Sequence, residues 1–154
     1  MSKVLEASED ISDLFESYRK EINIPMFVEF RYLNCPTQKQ IYKIGKLNPT
    51  LQLITNGVNC TITINEEVFD KLSDQQKKIL VSECLTGVKV NDSDVVSLEA
   101  HSFTTHPSVL KKFGHVDVIE TKETVELIYK QMKDKADEAK ANSEPKKRGR
   151  QKRT

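Results

Sequence analysis

"TITINEEVFDKLSDQQKKILVSECLTGV", residues 61–88, decides how this chain is to be folded. Its first residues close a β-type run, NCTITI (59–64). Asn65 then caps a helical start, EEVFDKL, and Ser73 caps a second one, DQQKKILVSECLTGV. In the second helix Ile79, Leu80, Glu83, Cys84 and Val88 fall within one broad stripe, which makes it the central helix of a domain. Ile79, Leu80 and Cys84 are expected to pack against strands containing Phe30, Leu53 and Ile62.

Upstream, SEDISDLFESYRKE (8–21) sets Ile11, Leu14, Phe15 and Tyr18 at helical spacing behind Ser8, a fitting N-cap. Three further β-type runs follow: MFVEFRYL (26–33), QIYKIGKL (40–47) and TLQLIT (50–55). Asn-Cys-Pro, Asn-Pro and Asn-Gly punctuate them. Downstream, HPSVLKKFG is a short helix with Pro107 near its start and Gly114 as its cap. A last helix begins near Thr121 and carries Val125, Ile128, Tyr129, Met132 and Ala136 at spacings of three and four. Its stripe fades after Met132, and Pro145 is expected to stop it. The fold class is therefore α+β: a small antiparallel or mixed sheet against a central helix, then a C-terminal helix (121–141) and a disordered basic tail (142–154).

The formal charge of +1 conceals an asymmetry. "PKKRGRQKRT" (145–154) holds six of the 24 basic residues, which leaves 18 against 23 acidic ones in the rest, a balance of −5. The body is acidic and the tail is a separate cationic device suited to an anionic polymer. No run of 18 apolar residues occurs, and the N-terminus MSKVLEASED is acidic where a signal peptide needs a basic region, so the expected place is the cytoplasm. Cys35, Cys60 and Cys84 lack Cys-x-x-Cys spacing and are read as reduced and mostly buried. The five glycines are isolated and make no phosphate cradle.

The order helix, strands, residues 61–88, then a later His-containing helix resembles a metallopeptidase family common in bacteriophages, over about residues 10–115. In that family a strand and turn of the form "ITINEEVWD" lead into a helix bearing His-Glu-x-x-His, and the resemblance implies a zincin-like fold for residues 1–120. Two imidazoles at i and i+4 would bind zinc, and the Glu between them would polarise the attacking water. Here the five positions read Ser82-Glu83-Cys84-Leu85-Thr86. Glu83 matches the general base, His106 matches the downstream ligand, and hydroxyls stand at both helical ligand positions. No catalytic group, metal set or cofactor is therefore assigned, and the chain is expected not to be an enzyme. His101, His106, His115 and Cys84 carry metal-binding atoms, but no His-x-x-x-His spacing joins them, and they are read as loop, cap and core residues.

Within the tail, Lys147-Arg148-Gly149-Arg150-Gln151-Lys152 resembles the AT-hook. Its Arg-Gly-Arg lies along the floor of a narrow A·T minor groove, where glycine lets the backbone press close. The DNA-binding residues so implied are Lys146, Lys147, Arg148, Gly149, Arg150, Lys152 and Arg153, with the outer cations on phosphates. Gln151 replaces the usual Pro. The expected function is that of a phage-encoded, non-enzymatic DNA-binding protein whose zincin-like domain meets a host nucleoid or transcription protein. The alternatives are a residual zinc-dependent peptidase, or a decoy that binds a host protein.

Overall fold

A computed structural model describes residues 4–99 and 105–151, with side chains through residue 141. A four-stranded mixed sheet is covered on one face by helices. In chain order its strands are β1 (Leu5–Glu6), β2 (Phe30–Asn34), β3 (Tyr42–Lys46) and β4 (Cys60–Ile64), and in space the order is β1-β2-β4-β3. β2 runs parallel to β4, with Tyr32 opposite Ile62; β3 runs antiparallel to β4, with Ile44 opposite Ile62. β4 is thus central, and Cys60, Ile62 and Ile64 on its inner face are fully buried.

Helix α1 (Glu9–Glu21) begins as expected, with the Ser8 hydroxyl accepting from the Ile11 N–H, and buries Ile11, Phe15 and Tyr18. Arg19 is buried beside them, and its Nη2 donates to the carbonyls of Pro25 and Val28 at 2.6 Å each. A buried cation needs such acceptors, and these tie down the chain that leads into β2.

TLQLIT is a correction. Residues 50–54 belong to helix α2 (Pro49–Ile54), not to a strand, and Leu53 is 81% exposed rather than facing the central helix. The Asn48 side chain accepts from the Leu51 N–H, and Pro49 sits in the first helical turn. An N-cap followed by Pro starts a helix whatever the apolar alternation suggests.

Asn65 caps α3 (Glu66–Phe69) and donates to the carbonyls of Pro36 and Gln38. Ser73 and Gln76 form a reciprocal capping box at the start of α4 (Asp74–Thr86). Seven consecutive residues of α4, Ile79–Leu85, are buried because the helix is packed on two sides. Leu80, Val81, Cys84 and Leu85 join the main core, whereas Ile79 packs with Val109 and Val118 in a second cluster, away from the strands it was expected to meet.

A hairpin of β5 (Val88–Val90) and β6 (Val96–Leu98) follows, then α5 (Pro107–Phe113) and α6 (His115–Gln151). Gly114 joins the two helices at φ +89°, a left-handed conformation suited to glycine. α6 starts six residues before Thr121, and its backbone continues through Pro145, where a stop was expected. Val118, Thr121 and Ile128 are buried along it. Among the described residues no helix is long and apolar enough to cross a membrane.

Candidate functional site

Glu83 lies in the last turn of α4 and is only 2% exposed. A carboxylate there sits near the negative end of the helix dipole as well as out of water, so it needs donors. It has them: the Tyr42 hydroxyl, from β3, and the Lys122 ammonium, from α6, both donate to its Oε1 at 2.5 Å. Three elements distant in sequence are thereby joined at one oxygen. Burial, and then the neighbouring Glu83, push the Tyr42 phenol far up from its usual range, so it remains a protonated donor.

Around this point lies a groove of about 630 Å³, walled by β3 on one side and α6 on the other, with Leu80 and Glu83 beneath. Lys122, Val125 and Tyr129 follow one another at helical spacing along the α6 wall. A smaller adjoining pocket of about 200 Å³ is lined by His106 together with Glu83, Cys84 and Glu99. Glu83 and His106, the two residues that match the family pattern, thus line one pocket. Gly87 makes room for it: a Cβ there would stand 2.7 Å from the Glu99 carbonyl oxygen and 3.3 Å from His106 Nε2.

The donor set for a zinc ion does not fit. The two helical positions hold hydroxyls, which are poor neutral ligands. Ser82 is buried, and the Thr86 hydroxyl donates to the Ser82 carbonyl at 2.6 Å. Among the described residues no three His, Cys, Asp or Glu side chains are grouped to hold a metal. His101 lies outside the described residues, and His115 is exposed at the start of α6. Cys84 is in the core, its thiol pushed well up by burial and then by Glu83.

A family model described as "Putative phage metallopeptidase" matches residues 5–133. This chain belongs to that family. No curated protein and no solved structure matches it. The phage-family resemblance drawn from residues 61–88 therefore holds over most of the chain. The expectation that the chain is not an enzyme is overturned, because the family to which it belongs is described as a peptidase. The substituted ligand positions misled that reading: they speak to one mode of metal binding and not to what the family does.

Tyr42 and Lys122 were missed in the sequence. Lys122 left a signal, since a lysine three and seven residues before Val125 and Tyr129 lies on the apolar stripe of its helix. Tyr42 left none, being one aromatic residue among several in β-type runs. Of the tail residues implied to bind DNA, Lys146, Lys147, Arg148, Gly149 and Arg150 fall on the last turns of α6 without described side chains, and Lys152 and Arg153 lie outside the described residues.

Proposed function

We propose that this member of the phage metallopeptidase family takes an extended polypeptide into the groove above Glu83, along the free side of β3. The backbone of β3 carries the reading. Asn65 N–H donates to the Ile41 carbonyl at 2.9 Å and Leu47 N–H to the Asn59 carbonyl at 2.8 Å, which sets the odd-numbered residues as those bonded to β4. In an antiparallel pair the alternate residues turn their N–H and C=O outward. Among the described residues the outward ladder groups of Tyr42, Ile44 and Lys46 therefore have no partner, and Tyr42 and Ile44 line the groove. An incoming strand would satisfy these groups and lay its side chains over Leu80 and Val125. In this reading Glu83, on the floor of the groove, is the carboxylate that exchanges a proton with the bound chain once Tyr42 or Lys122 yields its contact.

Ile44→Pro tests the reading, because it removes an outward N–H without removing a bond to β4. With circular dichroism unchanged, a labelled extended peptide should bind at least tenfold more weakly than to the native chain. Unchanged affinity would show that the peptide does not use this edge. Incubation with denatured casein, followed by mass spectrometry of the products, reads turnover separately; cleavage abolished in Glu83→Gln would assign the proton exchange to Glu83.

A second role is favoured by Arg148-Gly149-Arg150 among four further cations: the tail tethers the chain to double-stranded DNA, in the minor groove of A·T-rich stretches. Substituting Arg148 or Arg150 by Ala should weaken binding to A·T duplex more than Lys146→Ala does, and each cation removed should lower the log-log salt slope by about one. Equal losses for all six cations with no A·T preference would leave an unspecific electrostatic tail. A host nucleoid or transcription protein is the corresponding partner of the body.

A further inference from the structure

We infer that the segment held along β3 is an acidic peptide, with Glu or Asp alternating with apolar residues. This rests on the groove reading above and adds its charge. From Phe30 to Asn65 the chain has no acidic residue at all, although the body as a whole is acidic. That span contributes Arg31, Lys39, Lys43 and Lys46. Arg31 is engaged by Glu6 at 2.5 Å, and Lys122 across the groove is engaged by Glu83. Lys39, Lys43 and Lys46 are exposed and enter no ion pair among the described residues.

All three stand on or just before β3, whose outer ladder has no partner among the described residues. Side chains alternate along it, so Tyr42 and Ile44 share one face, with Lys46 two residues further on, and Lys43 lies on the other. A strand added at this edge repeats the alternation. Its residues on the groove face lie over Leu80 and Val125 and are apolar; those beside Lys43 are favoured when negative, as opposite charges across a strand pair attract. Among the described residues Glu126 is, apart from Glu83, the single carboxylate lining the groove, and it sits on the far wall, on α6. The apolar floor and the open ladder favour a peptide over a nucleic acid, for which neither is suited. Lysines on an edge also discourage pairing with another copy, a role that predicts no preference for acidic ligands.

Three labelled twelve-residue peptides with a common apolar alternation and Glu, Gln or Lys at the intervening positions would be titrated by fluorescence anisotropy. The full chain is used with its six tail cations changed to Gln. The Glu peptide should bind at least tenfold tighter than the Gln peptide, and the gap should close as salt rises. Lys43→Glu, and separately Lys39→Gln with Lys43→Gln and Lys46→Gln, should erase the preference while the Gln peptide binds as before. Equal affinity for Glu and Gln peptides overturns the acidic preference and leaves the groove reading standing. No binding of any peptide overturns the groove reading itself. An oligonucleotide that displaces the Glu peptide at equal concentration overturns the choice of a peptide and assigns the lysines to nucleic acid.

Discussion

β4 and β3 are neighbours in one sheet, equal in length, and they do opposite work. β4 is bonded on both sides and its inward Cys60, Ile62 and Ile64 are fully buried. β3 is bonded on one side among the described residues, keeps Ile44 partly exposed, and carries Lys43 and Lys46. The difference teaches that position in the sheet, more than composition, separates the strand that holds this domain together from the strand that is open to a partner. Glu83 connects the two regions, since α4 packs its apolar side into the core under β4 and offers its carboxylate to Tyr42 of β3.

The largest expected effect is Ile62→Ala, which should cost about 2–5 kcal/mol in denaturant unfolding because the site is fully buried. Ile44→Ala, in register with it on the edge, should lose less than half as much; equal losses would break the contrast. Next is Lys122→Met, which strands a buried carboxylate without its ammonium and should cost about 3 kcal/mol, the low end for a broken buried pair because Lys122 itself is 26% exposed. Lys122→Arg should recover most of that, and a neutral result for Lys122→Met would separate Glu83 from the α6 wall.

An alkaline titration sharpens the same contrast from the β4 side. Burial pushes the Cys60 thiol up to about 11 from 9.0. A group whose folded value is raised contributes its stability below the unfolded value, so stability is intact up to about pH 9 and falls as pH rises toward 11, by on the order of 2 kcal/mol from this thiol. The Tyr42 phenol, raised further, adds to the fall in the same direction. Cys60→Ala should flatten the decline above pH 9; an unchanged slope would place its origin elsewhere. Tyr42→Phe removes one hydrogen bond to Glu83 and should cost about 1 kcal/mol at neutral pH. Lys43→Gln should change stability by less than about 0.5 kcal/mol, since this exposed cation enters no ion pair among the described residues.

Much of the scaffold was legible because it is encoded within a few residues. Asn65 and Ser73 announce α3 and α4 by capping, and Gly114 separates α5 from α6 where a left-handed residue is required. The strand expected at α2 is wrong although its signal is local too: Asn48-Pro49 outweighs the alternation of Leu51 and Leu53, and on a helix this short both are exposed, as is Ile54. Of the site, the sequence pointed to Glu83 and His106 through their place in a family pattern. It did not lead to Tyr42 and Lys122, which approach Glu83 from positions 41 and 39 residues away.

The sequence by itself determined the α+β class, the central helix, the membership of residues 5–133 in a phage metallopeptidase family, and the segregation of positive charge into residues 145–154. These follow from short-range chemistry: capping side chains, apolar spacing and local charge. Only the tertiary structure decided which strand lies at the edge, which face of α4 meets which cluster, and which donors converge on the buried carboxylate. Those outcomes depend on strand order and helix packing, through which residues far apart along the chain come to share one low-dielectric interior.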